Sequence, residues 1–345
     1  MMRQLILAIL LVVSAGHAAQ AEGGRLREFL AKRMQERAAT GEAGGFLEEF
    51  GSGSCADHKE KVSKLLSGNR GGRNSKGPPG DLHDVAYGDQ ALQKLDVYLP
   101  KRKTAESAPV IIMVHGGGWC VGDKSMRGMT GNKLEHYTGL GFIYVSANYP
   151  MVAEGSLAIQ QAEHVARAVA FVQAHAAEWG GDPSRVILMR HSAGAHLVSL
   201  VNADAKLRAA AGVKPVLGTI SLDSGTTNVV TQMKHPIEFM KDRYAEAFGD
   251  EEEGWIAASP FHHLDKTAAP WLSVCSAQRA GNPCGQSKEY AEKSNGLGIR
   301  AEVIPIDKKH GEINNDLGLP GDYTDAVDKF IASLDPVAAR YINQE

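Results

Sequence analysis

The stretch that decides the fold is Val186-Ile187-Leu188-Met189-Arg190-His191-Ser192-Ala193-Gly194-Ala195-His196-Leu197. Its first four residues form a continuous apolar run, which is how a strand covered on both faces reads. From Ala193 to Val201 the composition is that of a helix. A strand that turns directly into a helix forces the corner residue into a strained conformation and exposes its side chain. That residue is Ser192. Its small neighbours Ala193 and Gly194 let the backbone pass closely, and the start of the helix points amides at the hydroxyl.

The same arrangement precedes it. Val110–Val114 (VIIMV) is continuously apolar and runs straight into His115-Gly116-Gly117-Gly118-Trp119. Glycine costs conformational entropy, so three in a row at a strand end need a reason. A loop whose amides face an oxyanion without side-chain obstruction is such a reason.

Working outward, further short β-branched runs are read as strands at Phe142–Ser146, Val216–Leu222, Trp271–Cys275 and Ala301–Ile306. Lys94–Leu99 alternates and reads as an edge strand. Between the strands lie helical patterns, the clearest at Leu157–Trp179, with others at Ala193–Val201, Gln286–Ser294 and Tyr323–Leu334. The alternation predicts an α/β sheet with right-handed crossovers. About fifty residues separate the strand ending near Leu222 from the one starting near Trp271, more than a crossover needs. This insertion, about 224–268, reads as a small cap. It includes a helical stretch at Met233–Phe248 and a solvated acidic run at Asp250–Glu253.

The 345 residues carry 37 basic and 40 acidic side chains. No cationic surplus is available to neutralise nucleic-acid phosphates. The one long apolar run is Leu5–Val13, after Arg3 and before the small-x-small site Ala19-Gln20-Ala21. It is too short to span a bilayer and reads as a signal peptide over 1–21, which places the protein in the periplasm or outside the cell without membrane insertion. Residues 22–80 read as a helical segment followed by a Gly-rich linker, and 81–345 as the main domain.

Export makes disulfides the expected state of the four cysteines, Cys55, Cys120, Cys275 and Cys284. Three connectivities exist. The turn-forming Gly281, Asn282 and Pro283 favour pairing Cys275 with Cys284, which leaves Cys55 with Cys120. His262 and His263 are adjacent but have no spaced third ligand, so no metal site is expected.

HGGGW and HSAGAH together resemble the motifs of α/β-hydrolase esterases with an HGGG-type oxyanion loop, of the hormone-sensitive-lipase and feruloyl/acetyl-xylan-esterase-like branches. The resemblance spans about 81–334 and includes Glu178–Val186 (EWGGDPSRV). It implies an eight-stranded, mostly parallel sheet, no cofactor, and ester hydrolysis through an acyl-enzyme. Ser192 matches the nucleophile, and Gly117, Gly118 and Ala193 match the oxyanion-hole amides. In this fold the chain order is serine, acid, histidine. His310, after the strand Ala301–Ile306 and in an HGEIN-type motif, matches the base.

Two positions depart from that pattern. Arg190 stands two before the serine, where the family carries Gly, and a long cation there is expected to strain the turn, displace packing or snorkel outward. The loop Ser276–Ser287 (SAQRAGNPCGQS), where the family places its acid, has no carboxylate. Asp223, at the end of the preceding strand, ranks first as the acid and Asn282 second. Asp307 is too close to His310 in sequence to approach its ring easily.

The expected function is an exported serine carboxylesterase for small carboxylic esters. An arylformamidase-type amidase and a catalytically impaired binding protein are the competing readings, the latter resting on Arg190 and the missing loop acid. The sequence does not define the oligomeric state.

Overall fold

The computed structural model describes residues 54–59, 81–102, 106–279 and 281–344. The expected signal peptide and most of the 22–80 segment lie outside the described residues.

Eight strands form one sheet: β1 (Leu82–Ala86), β2 (Lys94–Tyr98), β3 (Ala108–Val114), β4 (Ile143–Ala147), β5 (Gly181–His191), β6 (Gly218–Leu222), β7 (Trp271–Ser276) and β8 (Ala301–Ile306). Their spatial order is β1-β2-β4-β3-β5-β6-β7-β8. β2 pairs antiparallel with β1 and β4, and all other pairs are parallel. The apolar runs explain the centre. Every residue of β3 and β4 is buried, and Ile112 lies between Val145 on one side and Leu188 on the other.

One expectation is corrected at the rim. Lys94–Leu99 was read as an edge strand, but β1 lies outside it. β1 is largely exposed and has little β-branched content, so it lacks the alternation that marks a half-buried strand.

The longer helices are α1 (Asn132–Leu140), α2 (Ala158–His175), α3 (Ala193–Ala203), α4 (Lys241–Phe248), α5 (Pro283–Gly296), α6 (His310–Asp316) and α7 (Asp322–Ala332). All eleven residues of α3 are buried, where α2 packs across it. The helix expected over Met233–Phe248 is broken. Val229–Lys234 forms one short helix, Glu238–Met240 a single 3-10 turn, and α4 follows. Pro236 lacks a backbone N–H and disfavours helical geometry at His235, which ends the first piece there. These pieces belong to the insertion between β6 and β7. Its acidic run, Asp250–Glu253, is exposed.

Cys275 bonds to Cys284 and Cys55 to Cys120. The second bridge closes 65 residues of chain, and chain-entropy arithmetic puts its effect on the unfolded state at about 4 kcal/mol. It fastens residues 54–59 to the residue that follows HGGGW. The Cys55 amide also donates to the Glu246 carboxylate of α4 at 3.0 Å.

Candidate active site

Ser192 occupies the corner between β5 and α3 with φ 59° and ψ −131°. A side chain in that region is strained and needs support from its surroundings. The end of β6 supplies it. The Ser192 amide donates to the Leu222 carbonyl at 3.0 Å, and the Ser192 carbonyl accepts from the Gly225 amide at 3.0 Å.

His310 opens α6 just beyond β8. Its Nε2 lies 3.0 Å from Ser192 Oγ, and its Nδ1 lies 2.5 Å from Asp223 Oδ2. Asp223 directly follows β6, also at positive φ (45°). Its carboxylate is held by the Ser276 amide, which donates to Oδ1 at 2.9 Å. Asp223 is fully buried. Burial pushes its pKa up, but the hydrogen bond and charge of His310, the nearby Arg279 and the Ser276 amide outweigh it and hold the carboxyl well below its ordinary value. An ionised Asp223 accepts from Nδ1–H, which leaves Nε2 to accept the serine proton.

The structure brings Ser192, His310 and Asp223 together and leaves the other acid candidates apart. Asn282 caps α5, its Oδ1 accepting from the Gly285 amide at 3.0 Å. Asp307 accepts from Gln278 Nε2 at 2.7 Å.

His191 steadies His310 from behind. Its Nε2 donates to the His310 carbonyl at 2.8 Å, and the two rings sit 4.2 Å apart. Burial, then the His310 ring, hold the His191 pKa well below its ordinary value, so it acts as a neutral donor.

On the opposite side lies the glycine loop. Gly117 has φ 117°, and a Cβ there would fall 1.7 Å from the Val121 carbonyl oxygen, so only glycine fits. Its own carbonyl accepts from the Cys120 and Val121 amides at 3.2 Å, closing the turn. Gly118 then lines the pocket with Ser192. Ala193 is the first residue of α3, where helix amides have no intrahelical acceptor. Trp119 Nε1 donates to Nδ1 of His196, and His196 Nε2 donates to the Ala258 carbonyl. That chain links the loop, α3 and the insertion.

Arg190 does not behave as expected. It is fully buried and does not snorkel. Room for it is made by Gly194, where a Cβ would fall 1.8 Å from the guanidinium Nη2. Nη2 donates to the His191 carbonyl at 3.1 Å, and Nη1 points at the Met129 sulfur. Burial lowers its pKa to about 9, against the opposing pull of Tyr149 and Tyr144. Ser192 and His310 remain in hydrogen-bond contact above it, so the packing displacement expected from a cation at this position does not occur.

The pocket over Ser192 encloses about 420 Å³ open to solvent. The insertion contributes Phe239, Met240, Arg243 and Tyr244 to its wall, and the β7 loop contributes Arg279. Sequence reasoning missed Arg279. A single arginine in a Gly/Pro loop has no pattern to mark it. No group of three or more His, Cys, Asp or Glu side chains able to hold a metal occurs among the described residues. His262 is engaged with Ser259 Oγ, and His263 with the Ile256 carbonyl.

A model of the BD-FAE family matches residues 95–293, more than half of the chain. The chain belongs to the BD-FAE family. Among curated relatives, this BD-FAE protein is 26% identical over 267 residues to a probable isoprenylcysteine alpha-carbonyl methylesterase of Arabidopsis thaliana, covering 72% of this chain and 54% of the relative. It is 26% identical over 226 residues to the probable carboxylic ester hydrolase LipM of Mycobacterium tuberculosis, covering 61% and 51%. The chain thus spans about half the length of the curated relatives it matches. Among solved structures, a truncated carbohydrate esterase from gut microbiota superposes with TM-score 0.62 at 19% identity, over 74% of this chain and 96% of that one. The Est2 esterase of Thermogutta terrifontis superposes with TM-score 0.61 at 22% identity, over 74% and 93%. With its eight-stranded sheet, this BD-FAE protein has the α/β-hydrolase fold.

Proposed function

We propose that this protein is an exported serine carboxylesterase acting on small carboxylic esters through an acyl-enzyme. The observation that carries the reading is the relay from Asp223 through His310 to Ser192, opening into a pocket beside Gly118. His310 Nε2 takes the Ser192 proton as Oγ attacks the ester carbonyl. The amides of Gly118 and Ala193, with Gly117 shaping the loop, stabilise the oxyanion. The alcohol leaves with the proton from His310. Water then repeats the sequence on the acyl-enzyme and releases the acid. Aspartate supports the imidazolium that forms in both halves by charge as well as by hydrogen bonding.

The ester hydrolase names of the curated relatives favour an ester over an amide substrate. The impaired-protein reading loses its two supports, because Asp223 reaches His310 from β6 and Arg190 is accommodated under Gly194. Export is supported by two disulfides, which persist in oxidising compartments.

The test is labelling with a fluorophosphonate probe, together with hydrolysis of p-nitrophenyl acetate and octanoate. The expected result is covalent labelling at Ser192 and turnover of the shorter ester, both abolished by Ser192→Ala. Turnover that survives this substitution, or a protein that neither labels nor hydrolyses either ester, overturns the reading.

A further inference from the structure

We propose that Arg279 makes the pocket an anion-recognition site, so that the preferred substrates are esters carrying a carboxylate a few bonds from the reacting carbonyl. The proposal rests on the esterase reading above and names its substrate class.

The β7 loop holds no carboxylate and presents a cation to Asp223 and His310. Arg279 Nη1 lies 3.1 Å from Asp223 Oδ2 and 3.0 Å from the Ser224 carbonyl oxygen. The guanidinium is therefore fixed in orientation through one nitrogen. Among the described residues its Nε and Nη2 have no partner, and 14% of the side chain is exposed at the pocket wall. Arg243, from the insertion, is a second cation on the same wall, packed against Gly118. No carboxylate lines this pocket among the described residues.

The position of Arg279 also has a cost that an anion would offset. Nη1 lies 3.5 Å from His310 Nδ1. Both donate to Asp223, so Arg279 competes with the imidazolium that must form during catalysis. A neutral ester leaves that repulsion in place. A carboxylate seated on Nε and Nη2 neutralises it while adding a charge-assisted, two-pronged contact, the geometry for which guanidinium is suited. An anionic ester would then gain in kcat as well as in KM.

The experiment compares p-nitrophenyl hydrogen adipate with p-nitrophenyl hexanoate, which have acyl chains of equal length. The expected result is a kcat/KM ratio of tenfold or more in favour of the adipate, declining as sodium chloride is raised. Because Arg279 also touches Asp223, its variants are read by this ratio and not by absolute rate. Arg279→Gln should lower the ratio at least tenfold, and Arg279→Lys should retain part of it. A second arm is independent of turnover: calorimetric titration of the Ser192→Ala protein with adipate and with hexanoate should show tighter adipate binding, with the difference lost when Arg279→Gln is added. If hexanoate esters are hydrolysed as well as adipate esters, or the ratio is untouched by Arg279→Gln, the anion site is overturned and the esterase reading stands. If neither ester is hydrolysed, the esterase reading fails and the calorimetry alone decides the anion site.

Discussion

The indole N–H of Trp119 donates to Nδ1 of His196 at 3.1 Å, joining the glycine loop to the helix that follows Ser192. Both residues are fully buried. Trp119→Phe keeps an aromatic side chain but removes the donor and part of the buried ring system, leaving His196 Nδ1 unsatisfied at a cost of about 1–3 kcal/mol on top of the lost packing. Thermal melting should fall by several degrees. Ester hydrolysis should fall as well, because the loop loses its tie to the nucleophile. A variant that melts and turns over like the wild type would show that the tie carries no energy.

Asp223 and Asn282 can be separated by substitution. Asp223→Asn removes the charge that supports the imidazolium, and kcat should drop by roughly 10³–10⁴-fold. Asn282→Ala removes the helix cap on Gly285 and places alanine at a left-handed φ of 52°, which together cost about 1–3 kcal/mol of stability. Its kcat should stay within about twofold of wild type. The reverse pattern would move the acid to the β7 loop.

Arg190 invites two opposite replacements. Arg190→Gly empties a fully buried site, and a cavity on that scale destabilises by about 3–5 kcal/mol. Arg190→Met fills most of the volume and removes a buried charge that has no carboxylate partner among the described residues. Hydrophobic replacements of buried ions are often neutral or stabilising by about 1–4 kcal/mol. Melts at pH 7 should therefore rank methionine at or above wild type and glycine below both. Glycine ranking highest would mean that the guanidinium strains the corner after all.

The pH dependence of stability follows from the buried histidines His191, His196 and His115. Burial lowers His196 to about 4. Burial, then the charge of Arg190, lower His115 to about 4 as well. Each is neutral in the folded protein through a range in which the unfolded chain binds a proton. Stability should be fully present above about pH 6.5 and fall as the pH drops towards 4. Below that, protonation of Asp223 removes more, since its folded pKa is also depressed. A melt series from pH 8 to 4 should be flat at the upper end and lose roughly 5–10 °C by pH 4.5. A protein more stable at pH 5 than at pH 7 would contradict these assignments.

The elements that could be read from sequence were those whose burial leaves a local mark. β3 and the Val186–Met189 stretch of β5 are apolar because helices cover both faces, and the residues after these strands, Gly116–Gly118 and Ser192, inherit their position from them. β1 left no such mark because water covers most of it. The acid was harder, because whether Asp223 or Asn282 meets His310 depends on how far neighbouring strand ends protrude, and sequence spacing does not encode that distance. Arg190 was misread for a similar reason. The space it fills is created by a missing side chain at Gly194, four residues on and past the strand-to-helix corner.

Placing Asp223 at the end of β6 also bears on how this scaffold can be altered. Where the acid rides on the β7 loop, each insertion or deletion in that loop endangers the relay. Here residues 277–281 hold no member of the triad, and the Cys275–Cys284 bridge pins the chain on either side of them. Segments of other length and charge can be grafted between those pins without replacing Ser192, His310 or Asp223, provided a donor takes the place of Arg279 on the Asp223 carboxylate. Loop exchange between the two cysteines thus varies the pocket wall beside Ser192.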